Sequence, residues 1–460
     1  MQNRWLNILA CFLCTVPALA RVAQSAEPTW KAGWDSAVIT PQHSMWMAGF
    51  GNRTQPSDGT LHELRLKILA LEDAQGQRAV LMAADLLGIP KSVYDNTCAA
   101  LQEKHGLERS QIMLNSSHTH NSPVLRGALL DTYPLDDRQL QLIEAYSSRL
   151  ERQIVTSVGR ALGRMVPVRL SHGEGTCNFS FGRESDQPDE LVHNVPVLAV
   201  RSPKGKLRAV VLTYACHPTS LKFSGWGIGE YVSMMQKWSP DFPQFAVERL
   251  EAEHASCLAM FTQGCGGDRG APQQGQLEKT REIGFLLAAA VQDVLDGQMQ
   301  PIEPRLQTAF QFVELPFGAS PTREHLEAQR QRTGASAYLA RWSGRLLEQL
   351  DAGQPLPNSY PEFPVQVWRL GEDHIWVSLG GETVSGYSVA IRDRIAPGAR
   401  VLGYTNDVMC YIPTPQIIRQ GGYVGQSSMA VYGVPAMRWS EEIEERILSA
   451  VEGLLQAGDP

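Results

Sequence analysis

Short apolar runs that end in a polar turn recur along this chain, and they predict buried strands. Most runs are bounded by glycine, proline, asparagine or aspartate, which favour turns. Between them lie longer segments in which apolar residues return at helical spacing. The predicted strands cover residues 64–71, 79–84, 111–115, 167–171, 195–201, 207–214, 257–261, 365–370 and 375–379, and the predicted helices cover 91–104, 136–162, 245–253, 277–295, 321–350, 384–391 and 440–455.

The elements between residues 79 and 115 follow the order strand, helix, strand. Such a unit is a parallel crossover, which is expected to be right-handed. It places Asp85 and His118, which follow the two strands, at the same edge of one sheet. Ligands of such sheets bind beyond the carboxyl ends of the strands, so a site is expected there. The predicted fold class is α/β, with mixed sheets and flanking helices.

Two histidines lie in the turn after the second of these strands. His118 and His120 are held more rigidly than they would be in a free loop, because a strand positions the turn that follows it. Side chains two positions apart point the same way in an extended segment, so one histidine could bind a metal ion while the other carries a proton. The pair alone is equally compatible with solvated or core-packed histidines.

Three later predicted strands are also followed by turns that contain polar residues. His217 follows the strand 207–214 and precedes a proline, which favours an extended backbone at the histidine; a hydrogen-bonded core histidine is the alternative to a ligand. Glu382 follows the strand 375–379, and it either serves the site or caps the next helix. The glycine-rich loop 264–270 lacks the Lys-Ser/Thr of a phosphate loop. We expect instead a flexible loop whose backbone approaches a substrate, with Asp268 or Arg269 as a polar contact.

Length and composition bound the class of protein. The chain has 460 residues, of which 43% are hydrophobic, so it can form a large core in one elaborated domain or two interlocked ones. The formal charge of -7 and the absence of a lysine or arginine run argue against a nucleic-acid partner. The 40 glycines and 28 prolines are typical of a loop-rich enzyme surface rather than a helical bundle.

The first residues predict an export signal. Arg4 precedes the mostly apolar run 5–20, and Ala18-Leu19-Ala20 forms a small-x-small cleavage site. The run is short for a membrane span, which needs about 20 apolar residues. We expect a signal peptide at 1–20, with cleavage as late as 26 as an alternative, and an exported protein that is periplasmic or secreted. Six of the eight cysteines remain after this cleavage, and disulfides among them are compatible with an oxidising compartment.

Taken together, these motifs resemble the neutral/alkaline non-lysosomal ceramidase family, specifically its large N-terminal catalytic domain. The resemblance covers nearly all of the mature chain in order. It implies a single catalytic domain over residues 30–456, without the family's C-terminal immunoglobulin-like domain. The motifs that carry it are Ile39-Thr40-Pro41 with Met47-Ala48-Gly49, Ala84-Asp85-Leu86, Ser117-His118-Thr119-His120, His217-Pro218-Thr219-Ser220, Gly267-Asp268, Gly381-Glu382 and the segment from Tyr411-Ile412-Pro413-Thr414 to Tyr423.

The resemblance also implies a zinc site at the C-terminal ends of strands. Two imidazoles, a carboxylate and a phenol oxygen are acceptable zinc ligands. By the resemblance, the residues that fall on the family's zinc ligands are His118, His217, Glu382 and Tyr411. Those that fall on its catalytic, substrate-orienting and further active-site positions are His120, Arg183 and Tyr423.

The implied function is zinc-dependent hydrolysis of an amide bond in an N-acyl lipid or a related N-acyl amide, by attack of metal-bound hydroxide. Zinc with Tyr423 or Arg183 would stabilise the oxyanion, and His120 would handle the proton for the leaving group. The sequence contains no G-x-S-x-G motif, which disfavours a serine hydrolase. Two alternatives stay open: a zinc esterase or deacylase acting on a polar or sugar substrate, and a non-catalytic binding relative. The expected partner is a small-molecule or lipid amide, with at most peripheral membrane contact.

Two departures from the family's pattern bear on mechanism and substrate. The family has a serine two residues beyond its Gly-Asp pair, where this chain has Gly270, so a mechanism with that serine as nucleophile is excluded. After His120 the family continues Ser-Gly-Pro-Gly-Gly, whereas this chain has Asn121-Ser122-Pro123-Val124-Leu125. This difference is expected to change a wall of the pocket, so the substrate is less firmly implied than the fold and the metal.

Overall fold

The computed structural model describes residues 29–222, 234–273 and 275–457. The predicted signal peptide at 1–20 lies outside these residues, so export stays a prediction. The single-domain prediction for 30–456 likewise stays a prediction. Among the described residues, no helix combines the length and the apolar character that crossing a membrane requires.

The described residues form a mixed α/β structure, as the pattern of apolar runs predicts. The strands are β1 Trp30–Val38, β2 Gly59–Thr60, β3 Arg65–Glu72, β4 Arg78–Ala84, β5 Ile112–Ser116, β6 Val166–Thr176, β7 Phe181–Gly182, β8 Asn194–Arg201, β9 Leu207–Tyr214, β10 Lys237–Trp238, β11 Leu258–Gln263, β12 Arg269–Gly270, β13 Gln300–Ile302, β14 Leu306–Ala319, β15 Ser359–Leu370, β16 His374–Leu379, β17 Glu382–Thr383, β18 Arg400–Leu402, β19 Tyr411–Ile412 and β20 Arg438–Trp439. The helices are α1 Lys91–His105, α2 Asp137–Leu162, α3 Phe242–Glu253, α4 Leu277–Asp296, α5 Arg323–Gln329, α6 Ala337–Asp351, α7 Ser385–Arg394, α8 Pro415–Gln420, α9 Ser428–Val431 and α10 Ile443–Ala457.

Two large sheets organise the molecule. The first has nine strands in the order β11-β9-β8-β6-β1-β3-β4-β5, with β13 paired to β6, and the second has five in the order β18-β16-β15-β14-β20. The predicted crossover is confirmed, because β4 and β5 pair in parallel and α1 connects them. Most sheet contacts around it are antiparallel, so the sheet is mixed.

The two sheets pack against each other, and helices cover their outer faces. Met113 and Val211 of the first sheet share an apolar cluster with Trp368 and Trp376 of the second. Helices α1 and α2 cover one part of the first sheet's outer face, and α3 and α4 cover another. Helices α7, α8 and α10 cover the second sheet. Because side chains alternate between the two faces of a strand, each central strand contributes to an inner and an outer cluster.

The edge strands of the first sheet, β5 and β11, come together although they stand at opposite ends of the strand order. The Asn115 side-chain amide donates to the Gln263 carbonyl at 3.2 Å, and the Gln263 N–H donates to Asn115 Oδ1 at 2.8 Å. The same amide donates to the Gly403 carbonyl at 2.8 Å, which joins the second sheet's loop to this edge. The turns that follow β5, β9 and β16 therefore converge on one place.

The predicted elements differ from the structure in several places. The helix predicted over 321–350 is two helices, α5 and α6, because the chain turns between them at Gly334, whose φ is +63°. Strand β14 was not predicted, since most of its residues are only half-buried and form no continuous apolar run. The helix predicted from 245 begins at Phe242, where the Asp241 carboxylate accepts from the Phe242 N–H at 2.7 Å.

The cysteines of the described chain are free. Each is buried, and none lies in a disulfide; they are Cys98, Cys177, Cys216, Cys257, Cys265 and Cys410. Burial raises the pKa of all six thiols, to about 11 for Cys98 and Cys177. The described fold is therefore held by packing and hydrogen bonds.

A substitution at Gly33 would test the close contact between β1 and the end of α2. A Cβ at this position would lie 2.0 Å from the Ala161 carbonyl oxygen, which is backbone and cannot rotate away. We expect Gly33→Ala to lower the free energy of unfolding by about 1–3 kcal/mol, the usual cost of overpacking. Gly453→Ala in α10 is the matched control, because nothing lies within 4 Å of its added Cβ. Chemical denaturation of both variants measures the difference, and equal stabilities would contradict the close approach.

Candidate metal centre

His118 is placed by the turn that follows β5. Its φ is 65°, in the left-handed region that non-glycine residues rarely adopt. The His118 N–H donates to the Leu86 carbonyl at 2.9 Å, and Nδ1 lies 2.6 Å from the Leu87 carbonyl oxygen. A carbonyl only accepts, so Nδ1 carries the proton and the Nε2 lone pair points into the site. This hydrogen bond orients the ring as metal-ligating histidines are usually oriented.

His217 is placed by the glycine-rich loop after β11. Its Nδ1 lies 2.8 Å from the Gly266 carbonyl oxygen and 3.0 Å from that of Arg269. By the same reasoning, Nδ1 carries the proton and Nε2 is an acceptor. The loop thus serves the site through its backbone carbonyls, which orient a histidine.

The expectation that Asp268 or Arg269 contacts a substrate is wrong. Both side chains are fully buried. Asp268 accepts from the N–H of Ser385, the first residue of α7, at 2.7 Å, and Arg269 pairs with Asp189 at 2.8 Å. The loop packs directly against β17, because a Cβ at Gly267 would lie 2.4 Å from the Glu382 carbonyl oxygen. Its glycines permit this close packing.

The Glu382 side chain contacts the two histidines of the site and does not cap helix α7. Helix α7 begins after Val384 without a side-chain cap, so the capping interpretation of Glu382 is wrong. Strand β17 pairs in parallel with β19, which sets Glu382 directly beside Tyr411. Carboxylate oxygen Oε1 accepts from the Tyr432 hydroxyl, and Oε2 faces the two histidines.

Three acceptor atoms meet at the centre of this arrangement. His118 Nε2 lies 3.2 Å from His217 Nε2. Glu382 Oε2 lies 3.0 Å from the former and 3.1 Å from the latter. With both Nδ1 atoms protonated, no histidine proton lies between these atoms, so only a cation or an outside donor can stabilise them. Ligands of a tetrahedral zinc ion with bonds of 2.0–2.1 Å are about 3.3 Å apart, so the three atoms suit such an ion.

Tyr411 and Arg183 complete one side of the centre. The Tyr411 hydroxyl lies 3.2 Å from His217 Nε2. Arg183 Nη2 donates to that hydroxyl at 2.6 Å, to His217 Nε2 at 2.7 Å and to the Gly267 carbonyl at 3.1 Å. The guanidinium is therefore the outside donor for His217. Among the described residues, no arginine or lysine makes the corresponding contact with His118, whose Nε2 instead has His120 Nε2 at 3.3 Å.

The electrostatic environment keeps His217 neutral and the Glu382 carboxyl ionised. Burial, reinforced by the charge of Arg183, lowers the pKa of His217 to about 3. Burial alone would raise the pKa of Glu382, but the interactions with His118 and His217 hold it well below its usual range. Burial raises the pKa of Tyr411, so its phenol keeps its proton in the described arrangement. Neutral imidazoles and an ionised carboxylate are the forms that bind metals.

His120 lies beside the three acceptors without joining their triangle. Its Nε2 is 3.3 Å from His118 Nε2, and its buried Nδ1 has no hydrogen-bond partner among the described residues. The ring packs on Phe50 with 4.7 Å between centroids, and Gly49 leaves it room, since a Cβ there would lie 2.5 Å from the ring. One ring nitrogen is thus free to exchange a proton with a bound molecule.

Tyr423 stands at the opening of the site. It is 37% exposed, and its ring meets that of Tyr411 edge-on at 5.5 Å between centroids. Together with His120 and Glu382 it lines a small cavity of about 10 Å³, roughly the room that one water molecule needs. The structure therefore brings all seven predicted site residues into one cluster, while the role assigned to each stays a prediction.

Two tyrosines of the site were missed in the sequence. Tyr432 donates to Glu382 Oε1, and the Tyr404 hydroxyl lies 3.4 Å from Oε2. The Tyr404 ring also packs on His118 with 4.3 Å between centroids. Tyr404 lies in a loop with obvious turn residues, which was a signal, but no local pattern marks Tyr432. In contrast, Asn121 does not line the cavity: its amide donates to the Met234 and Lys237 carbonyls.

Tyr432 tests how the carboxylate is oriented. Tyr432→Phe removes the donor to Glu382 Oε1 and leaves the ring in place. We expect metal affinity to fall about 10–100-fold, the usual effect of removing a hydrogen bond that orients a ligand. Competition with a zinc chelator measures this. Tyr146→Phe is the control, because it removes a buried hydroxyl that donates to the Ile39 carbonyl away from the site. Equal affinities in the two variants would show that Tyr432 does not orient the carboxylate.

Comparisons with known proteins identify the fold. No family model matches the chain, and no curated protein matches its sequence. Among solved structures, the neutral ceramidase from Pseudomonas aeruginosa matches with a TM-score of 0.72 and 19% identity, over 94% of this chain and 74% of that one. A structure described as ceramidase complexed with C2 matches with a TM-score of 0.72 and 18% identity, over 94% and 76% of the two chains. The chain therefore has the fold of the neutral ceramidases, as the sequence motifs predict.

Proposed function

We propose that this protein is a zinc-dependent hydrolase that cleaves the amide bond of an N-acyl lipid or a related N-acyl amide. The observation that carries the proposal is the triangle of acceptor atoms formed by His118, His217 and Glu382, with edges of 3.0–3.2 Å. The likeness in fold to a solved neutral ceramidase supports the same class of reaction.

His118, His217, Glu382 and Tyr411 would hold the ion. Their nitrogen and oxygen atoms form a mixed donor set without sulfur, which suits zinc. When bound, zinc polarises the substrate carbonyl and lowers the pKa of water to about 7. Burial of the ligands keeps them from competing hydrogen bonds with bulk water.

The remaining residues of the cluster act on the substrate. His120, with a free buried Nδ1, accepts a proton and returns it to the leaving nitrogen. Arg183 and Tyr423 both contact Tyr411 and would donate to the oxygen on which negative charge develops. Arg183 already donates to the Tyr411 hydroxyl. It would therefore orient Tyr411 as a ligand and place its own positive charge near the bound substrate.

An alternative assignment makes His120 a third histidine ligand. The ligand atoms of His118, His120 and His217 all lie within 4.8 Å of one another, so the three could hold an ion together. The two assignments differ in what His120 does: a ligand is needed for binding the ion, whereas a proton carrier is needed only for turnover.

Metal analysis combined with hydrolysis separates these assignments. We expect about one zinc per wild-type chain, and its loss together with activity in His118→Ala and Glu382→Ala. His120→Ala should keep the metal while turnover falls about 10²–10⁴-fold. His254→Ala is the control, since its ring contacts Gln292 away from the cluster. Each protein is tested on matched amides and esters of the same acyl group.

The outcomes are distinct. Wild-type protein that stays metal-free after zinc is supplied would overturn the proposal. Loss of metal in His120→Ala would establish the three-histidine site. Cleavage of the esters but not of the matched amides would show that the protein is an esterase and not an amide hydrolase.

A further inference from the structure

Positive charge gathers beside His120 without matching carboxylates. Arg53 and Lys222 both lie over the ring of Phe50, at 5.2 and 5.5 Å from its centroid, and that ring packs on His120. Arg183, which donates to the Tyr411 hydroxyl, is a third cation of the site. The inference drawn from this cluster rests on the proposed function.

Arg53 is a buried cation without a described carboxylate partner. It is 6% exposed, and its guanidinium donates only to neutral oxygens: the Met235 carbonyl, the Gln236 amide at 3.2 Å and the His120 carbonyl at 2.7 Å. Burial lowers its pKa to about 10, so the group is charged at neutral pH. Its hydrogen bond to the His120 carbonyl fixes its charge next to that histidine.

Lys222 adds a second positive charge beside the Phe50 ring. It is half-buried, and no carboxylate among residues 29–222, 234–273 and 275–457 forms an ion pair with its ammonium group. Burial and the charge of Arg183 both lower its pKa. A carboxylate on a bound ligand would give this half-buried ammonium a counter-ion that the described residues do not supply.

The charges of the site sum to an excess of positive charge. Among the described residues, Arg53, Arg183 and Lys222 carry three positive charges, against the negative charges of Glu382 and of Glu184, which accepts from the Val424 N–H next to Tyr423; a bound divalent ion increases the difference. The whole chain carries -7, so this opening has the opposite sign to the protein around it. Clefts lined by one sign of charge focus the field and favour ligands of the opposite sign. A neutral amide carries no negative charge that these cations could attract.

We propose that the substrate is an N-acyl amino acid, whose carboxylate lies on the amine side of the scissile amide and is bound by Lys222 with support from Arg53. The amine side follows from geometry: His120 is the proposed partner of the leaving nitrogen, Arg53 donates to the His120 carbonyl, and Lys222 lies over the Phe50 ring that packs on His120. In the reaction, water adds its oxygen to the acyl carbon and the C–N bond breaks. One product is a fatty acid, and the other is an amino acid whose nitrogen has gained the proton.

Three lauroyl substrates test the position of the charge. N-lauroylglycine carries the carboxylate on the amine side, N-lauroylethanolamine is a neutral analogue of similar size, and the monoethanolamide of dodecanedioic acid carries the carboxylate at the far end of the acyl chain. We expect wild-type kcat/KM for N-lauroylglycine to exceed that for the ethanolamide at least 10-fold. Lys222→Met should reduce this ratio about 10-fold, mainly through KM. Lys204→Met, in the exposed turn between β8 and β9, is the matched control and should keep the ratio.

Binding without turnover provides an independent measurement. Calorimetry of N-lauroylglycine and the ethanolamide with wild type and Lys222→Met should show the same preference and the same loss. Equal kcat/KM for the two substrates in wild type, or a ratio unchanged in Lys222→Met, overturns the proposal. Preference for the dodecanedioic amide overturns the placement on the amine side. Tight, Lys222-dependent binding of N-lauroylglycine without hydrolysis supports the charge assignment and overturns the hydrolase.

Discussion

The structure depends on the enforced proximity of three acceptor atoms in a place that water hardly reaches. Each imidazole has committed its only N–H to a backbone carbonyl, so neither can supply a proton to the other or to the carboxylate. Lone pairs 3.0–3.2 Å apart repel one another in a medium of low dielectric. The arrangement is energetically favourable only if a cation offsets the repulsion. The loops, tyrosines and glycines around the triangle can be understood as the means of holding it in place.

The way in which the first sheet brings its edges together makes this possible. His118 follows an edge strand, while His217 follows a strand beside the opposite edge. They meet because β5 and β11 are joined through Asn115, and because the loop at Gly403 lies between them. Glu382 and Tyr411 then arrive from the second sheet as paired neighbours. A site assembled from such distant parts of the chain forms only when both sheets are in place.

The scaffold could be predicted from local signals in the sequence, whereas the full set of seven site residues was implied by the family resemblance, and their roles stay predictions. Buried strands are continuous apolar runs, and residues that follow them, such as His118 and His217, are easily recognised. Other features depend on contacts that no local pattern encodes. Tyr432 reaches the site only through tertiary packing. The buried Asp268 carboxylate accepts from the N–H of the first residue of α7. A glycine-rich loop that packs tightly and one that moves look alike in sequence, which explains the wrong expectation for Asp268 and Arg269.

The free cysteines have a consequence for handling the protein. Thiol–disulfide exchange and alkylation require the thiolate, and burial both hides these sulfur atoms and suppresses their ionisation. In the folded protein the six described thiols are therefore expected to react slowly with thiol reagents, and none of them has a disulfide partner among the described residues. The rate at which its thiols become reactive then reports how often the molecule opens.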